Sequence, residues 1–407
     1  MHLESGHPMT VRFHKYGVWL YKWRQAVVAV WLVLLVVAGL GAARAPEVLK
    51  GGAAGIPDSS SSRATDLLRT EFDNPFQYSF LVTVTSPKHV LEDEPFQDLL
   101  GELEKTAAAQ PFVGRAVSFL DHPIATLRSP DGHRTFFILG LKAKDNLAAE
   151  QFVNPTRDAL APVIEKWQKE DPGLKVFVTG EIPIGFDGTR VLMEDTTTAE
   201  HRIIPLAMLF LLAAFGGLAA AGIPVLVGAV ASVLTLALLF VFGHMWNLSA
   251  MAQAISSMVG LGVGIDYSLI IVSRFREALA KDMSVEDAVA ETVSTAGQAI
   301  LYSGLTVMIG FLALFFPGLI DTNSLALAGS LTVLATVALS LTLLPAALGI
   351  LGKRIDWPYR LTRFIERFSV SGWWYNWAQL VMKFPARFLA AGTLILVICS
   401  LPLFTVT

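Results

Sequence analysis

The chain has 407 residues, 53% of them apolar and only 16% charged, with a mean hydropathy of +0.54. A soluble domain averages roughly 45–50% apolar and about 25% charged, so a single water-soluble domain is excluded. The net charge of −3 hides a division: residues 46–200 hold 24 Asp and Glu against 15 Lys and Arg, and the remainder holds 10 against 16. Cys399 is the sole cysteine, so no intrachain disulfide can form. No nucleic-acid partner is expected.

Seven apolar stretches are long enough to cross a hydrocarbon core of ~30 Å as helices of about 20 residues. They fall near 26–44, 203–221, 223–243, 251–273, 298–317, 325–350 and 388–406. The segment 1–25 before the first stretch carries Arg12, Lys15, Lys22 and Arg24. The fourth stretch is followed by Arg274, Arg276 and Lys281. A basic linker, 351–387, contains Lys353, Arg354, Arg360, Arg363, Arg367, Lys383 and Arg387. All of these fall on one side of a seven-span arrangement, which the positive-inside rule makes cytoplasmic. A cleavable signal peptide ending near Ala43-Arg44-Ala45 is the competing reading of the first stretch. Either way, residues 45–202 are exported.

Within 45–202 the pattern changes. Gln77–Thr85 alternates and is rich in β-branched residues, as a strand requires. A helix is expected over Glu92–Ala109, strands over Val113–Leu120 and Arg134–Leu141, a second helix over Leu147–Lys169 and a last strand over Lys175–Thr179. This βαββαβ order is that of a ferredoxin-like unit. His89, His122 and His133 match no zinc spacing, and no nucleophile elbow, phosphate loop or HExxH motif is present. Neither a metal site nor an enzyme is expected.

The bundle of spans two to six, 203–350, contains Val259–Ser273, VGLGVGIDYSLIIVS, with Asp266 the one Asp, Glu, Lys or Arg well inside any apolar core. It precedes Arg274 by eight residues, about 12 Å of helix. A carboxylate at that depth costs at least ~2.5 kcal/mol and has to be neutralised, paired or hydrated. Burial pushes an acid toward the neutral form, which suits a group that takes and releases protons. Tyr267 adjoins it and can donate or relay a hydrogen bond. Gly260, Gly262 and Gly264 do not have dinucleotide-loop spacing. Ser256, Gly260, Gly264 and Ser268 instead recur every four residues, a stripe that admits a neighbouring helix. Tyr302, Ser303 and Thr306 on the fifth span are the candidate groups to reach Asp266. Ser284 reads as the N-cap of a short surface helix running to about Ala296.

At these residues the sequence resembles the MMPL family of the resistance-nodulation-division superfamily. GLGVGIDYSLIIVSRFREAL, Gly260–Leu279, is similar to the family's fourth-span signature, and AVAETVSTAGQAILYSGLTVMIGF, Ala288–Phe311, to its continuation. TGEIPIGFDGTR, Thr179–Arg190, is similar to the return into the second span. The resemblance implies a polytopic α-helical protein of the bacterial cytoplasmic membrane with an inserted ferredoxin-like porter domain. It implies export of lipids or other hydrophobic molecules driven by the proton gradient, without a further cofactor, and maps the family's proton-relay pair onto Asp266 and Tyr267. A sterol-sensing-like sensor and an accessory of protein secretion are the competing functions.

Family members have two such halves. Tyr16, Lys22 and Trp23 correspond to Trp377, Lys383 and Phe384 at a constant offset of 361. The span at 388–407 is therefore expected to open a second, missing repeat, whose place a second copy of the chain is the alternative partner to fill.

Overall fold

A computed structural model describes residues 8–50, 59–72, 74–357 and 371–401. Arg360, Arg363, Arg367 and the end of the seventh expected span lie outside these residues. The chain forms a larger unit, made by the described residues up to Ala207 together with Ile223–Lys353, and a smaller unit of Met208–Gly222 with the described residues from Arg354 onward.

In the larger unit, helix α1 (Pro8–Lys22) gives way at Trp23 to α2 (Arg24–Ala42), the first membrane span. Strand β1 (Leu49–Lys50) and helix α3 (Ser60–Thr70) follow. The inserted domain then runs β2 (Ser79–Thr85), α4 (Glu94–Ala108), β3 (Val113–Val117), β4 (Arg134–Leu141), α5 (Asn146–Glu150), α6 (Val153–Gln168) and β5 (Lys175–Thr179). Its sheet has the order β3-β4-β2-β5, antiparallel throughout, with Val82 opposite both Phe137 and Val178. Alternate side chains of β2, namely Phe80, Val82 and Val84, are buried. They form a core with Phe137 and Leu139 of β4, Phe96, Leu100 and Leu103 of α4, and Val153 and Leu160 of α6. Burying a Phe, Leu or Val side chain contributes about 1.5–3 kcal/mol.

Helix α7 (Glu181–Phe215) starts at the end of this domain and continues without a break as the second span, 35 residues and roughly 50 Å long. The expected boundary at 202 is thus internal to one helix. The third span, α8 (Leu218–Gly243), begins earlier than its expected start at 223. The break falls at Gly216, whose φ of +71° lies in the left-handed region that favours glycine. Arg157 of α6 fixes the base of α7: its guanidinium donates to both Asp187 carboxylate oxygens at 2.8 and 2.6 Å and to the Val178 carbonyl at 3.2 Å.

Strand β6 (Leu248–Ser249) precedes α9 (Met251–Ala280), followed by α10 (Val285–Ala313), α11 (Ile320–Leu341) and α12 (Leu343–Leu351). The Ser284 Oγ accepts from the Asp287 N–H at 3.1 Å, as an N-cap does. The separate surface helix expected at 284–296 does not exist, because α10 continues through it into the fifth span. The apolar face of its first turns packs against α1, while Asp287 and Glu291 remain exposed. A Cβ on Gly17 would sit 2.6 Å from the Ala290 Cα, so only glycine permits that approach.

The sixth span is two helices, broken at Thr342. Pro345 has no N–H to give the Leu341 carbonyl four residues back, and the Tyr16 hydroxyl donates to that carbonyl instead, at 3.3 Å. Parallel pairing of Leu49 with Leu248 joins the segment after the first span to the loop before α9. The Ser249 N–H donates to Ser324 Oγ of α11 at 2.9 Å.

In the smaller unit, α13 (Ser371–Lys383) and α14 (Pro385–Ser400) meet at Phe384. Asn376–Lys383 and Pro385–Ser400 are bent by 91°. Among the described residues six helices are long and apolar enough to cross a membrane, and seven spans result only if this bent pair is counted as one. The helix break at Phe384 lies 361 residues after the break at Trp23, the offset at which the two segments resemble each other.

Candidate functional site

Helix α9 is uninterrupted from Met251 to Ala280, which places Asp266 near its middle. Its inward stripe of Ser256, Gly260, Gly264 and Ser268 is buried. The stripe packs on α8, not on the fifth span. A Cβ on Gly264 would lie 2.4 Å from the Gly228 Cα, and one on Gly260 would lie 2.6 Å from Ser232 Oγ. The Ser232 hydroxyl lies 3.2 Å from both the Ser256 and the Gly228 carbonyl oxygens. Without a hydrophobic drive between helices in lipid, such close backbone contact is what holds spans together.

Close packing at Gly264 therefore does not bring a neighbour's polar group to Asp266. Two residues along an α-helix is a rotation of about 200°, so the acid points away from α8. It is exposed, in line with Met258, Gly262 and Ile270 on one face of α9. Among the described residues no hydrogen bond or ion pair reaches its carboxylate. The nearest cation along the helix, Arg274, is engaged by Glu277 at 2.8 Å.

Tyr267 makes the contact with the fifth span. It is buried, and its hydroxyl lies 3.3 Å from Ser303 Oγ of α10. The expected trio on α10 divides: Ser303 meets Tyr267, whereas the Tyr302 hydroxyl lies 2.9 Å from Met9 Sδ and the Thr306 hydroxyl donates to the Tyr302 carbonyl at 2.9 Å. None of the three reaches Asp266. The Ser268 hydroxyl oxygen is buried with no hydrogen-bond partner. The site is thus a polar seam between α9 and α10 beside a carboxylate turned outward from the bundle.

No three His, Cys, Asp or Glu among the described residues converge to hold a metal ion. In the inserted domain, His133 Nδ1 lies 2.9 Å from the Ser86 carbonyl and 3.1 Å from that of His89. Two acceptors require that nitrogen to carry the proton, so the ring fastens loops together.

Fold and site together define a polytopic membrane protein with an α+β domain inserted between its first two spans and one ionisable residue deep in the fourth. The chain belongs to the MMPL family, whose model matches residues 53–388. It is 29% identical to the mycolic acid-containing lipids exporter MmpL11 of Mycolicibacterium smegmatis, over 95% of this chain and 40% of that protein. It is 27% identical to the membrane protein YdfJ of Bacillus subtilis, over 97% of this chain and 52% of that one. The trehalose monomycolate exporter MmpL3 of M. smegmatis is 26% identical over 96% of this chain and 41% of its own length. The chain spans about half the length of these relatives or less.

Proposed function

We propose that this chain supplies one repeat of an exporter that moves lipids or other hydrophobic molecules across the bacterial cytoplasmic membrane, driven by the proton-motive force through Asp266 and Tyr267. The observation that carries the reading is the unpaired carboxylate of Asp266 at mid-span. A charge there is costly and marks a function by default. The names of two relatives as exporters of mycolic acid-containing lipids and of trehalose monomycolate support the substrate class.

In this reading the N-terminus is cytoplasmic and residues 45–202 face the periplasm or exterior. The strand order β3-β4-β2-β5, with crossing helices after β2 and after β4, supports a ferredoxin-like porter domain that handles substrate. Asp266 faces a second repeat or a second copy of the chain, and no cofactor besides the proton gradient takes part. Protonation neutralises Asp266 and permits a drier packing of the α9 face. Tyr267 and Ser303 carry the change to α10, and α7 carries it to the porter domain. Each proton moved through the potential gains ~2.3 kcal/mol per 100 mV, more than tenfold in an equilibrium.

The test is Asp266→Asn in the full-length polypeptide. Export is expected to be lost while membrane insertion and protein level are unchanged. Export at the normal rate by this variant would overturn the proposal.

A further inference from the structure

The inserted domain is tied to the rest of the chain by two links of very different length. Residues 51–78 separate β1 from β2, whereas β5 ends at Thr179 and α7 begins at Glu181. A single residue, Gly180, therefore stands between the sheet and a helix of 35 residues. Its φ of +115° lies in the left-handed region, and glycine, having no Cβ, resists backbone rotation least of all residues. The Ile184 N–H donates to the Gly180 carbonyl at 3.0 Å, so α7 is helical from the joint onward. A swing of about 10° at that joint would move Thr198, ~27 Å along the helix, by roughly 5 Å.

Two kinds of contact oppose such a swing. Ile182 is buried in the core of the domain, and Phe186, one turn on, packs against that core. Apolar contact is non-directional, so it holds the helix down and leaves it free to tilt. Arg157 adds direction, because its one guanidinium joins three elements. It belongs to α6, donates to the Val178 carbonyl of β5 at 3.2 Å, and grips both Asp187 oxygens of α7 at 2.8 and 2.6 Å. A planar fork on two carboxylate oxygens fixes an angle as well as a distance. Asp187 lies roughly 10 Å of helix beyond Gly180, far enough from the pivot to resist rotation. The other cation beside Asp187 is Arg190, at 3.9 Å, which also lies 3.9 Å from Glu194. Arg190 is on α7 itself, so its pairing stays within the helix and ties nothing to the domain.

We propose that Arg157 is a positioning residue: its fork on Asp187 turns the soft Gly180 joint into a rigid elbow, through which a tilt of α7 turns the whole inserted domain. Lysine cannot take its place, because a point charge sets no angle. The part this elbow plays in transport rests on the export reading given above, whereas its stiffness does not. Normal export by Asp266→Asn would leave the elbow standing, and a loose elbow would leave the role of Asp266 intact.

The experiment is a spin-label distance measurement on the full chain in phosphocholine nanodiscs. Cys399→Ser removes the native thiol, and labels go on Glu165→Cys of α6 and Thr198→Cys of α7, both exposed positions. This labelled parent is expected to give one narrow distance distribution by double electron–electron resonance. Arg157→Gln and Asp187→Asn, each made in the parent, should at least double its width. Arg157→Lys, which keeps the charge and loses the fork, should fall between. Arg190→Gln removes only the partner within the helix and should leave the width unchanged. Amide exchange of β2 in the same samples reports whether the domain is folded, and it should match the parent in at least one of Arg157→Gln and Asp187→Asn. Parent widths in both of these variants would overturn the proposal, as would equal broadening by Arg190→Gln. Broadening that comes with faster β2 exchange in both would also overturn it, since the pair would then hold the domain together and not the angle of α7.

Discussion

The inserted domain and the membrane bundle use their charged and small residues in opposite ways. In the domain, ionised groups are paired: Arg157 grips Asp187 with two hydrogen bonds, and Glu102 accepts from Lys166 and Trp167 at 2.8 Å each. Its stability comes from large side chains such as Phe80, Phe96 and Phe137 taken out of water. The bundle has no water to exclude from between its helices, so glycine and serine set the contacts, and its one deep acid is left without a partner among the described residues. Strength in the domain lies in what is filled, and in the bundle in what is absent.

The largest expected effect sharpens the first half of that contrast. Phe137→Ala should destabilise the domain by about 3–5 kcal/mol, the usual range for a buried phenylalanine. Amide exchange of β2 and β4 in the full chain should accelerate while that of α9 is unchanged. Equal acceleration in α9 would show that the two regions unfold together.

The second half is broken by adding one carbon. Gly264→Ala puts a Cβ 2.4 Å from the Gly228 Cα and should cost about 1–3 kcal/mol, read as loss of α9 protection or a lower Tm in detergent. Gly262→Ala, two residues away, meets nothing within 4 Å and should be neutral or slightly stabilising. If both substitutions act alike, helix propensity and not packing governs the position. Asp266→Asn belongs with Gly262→Ala for stability, since it removes a charge that has no partner among the described residues, even though it is expected to abolish export.

Much of this was legible in the residues and some was not. The strand at Ser79–Thr85 was readable because alternation at period two is a local signal, and the four-residue stripe on α9 was readable because period four is local too. Which helix would fill the stripe was not local. Gly228 and Ser232, four apart on α8, are the complementary signal, whereas Tyr302, Ser303 and Thr306 are the more polar candidates. The polar start of α10 reads as a surface helix because what covers it is distant in the chain, with α1 more than 250 residues earlier. Arg157 and Asp187 are 30 residues apart with no shared pattern, so nothing short of the folded domain could pair them.

The smallest effect lies inside the domain, where two acids on α4 separate the contribution of pairing from that of burial. Glu102 is held below the ordinary carboxylate range by hydrogen bonds from Lys166 first and Trp167 second. A lowered folded-state pKa stabilises above the unfolded value, about 4.3, and that gain is lost as pH falls through the folded value. Glu104, two residues on, is pushed up, first by burial and then by the neighbouring Asp121, against the hydrogen bond from Ser118. Its sign is reversed: the neutral form is favoured in the fold, and the penalty for charging grows as pH rises through the raised value. Glu102→Gln should therefore weaken the domain near neutral pH, by less than about 1 kcal/mol for so exposed a pair, and cease to matter in acid. Glu104→Gln should be neutral in acid and stabilising near neutral pH. Exchange of the β2 amides across pH reads both, and matching profiles for the two variants would mean that burial does not distinguish these neighbours.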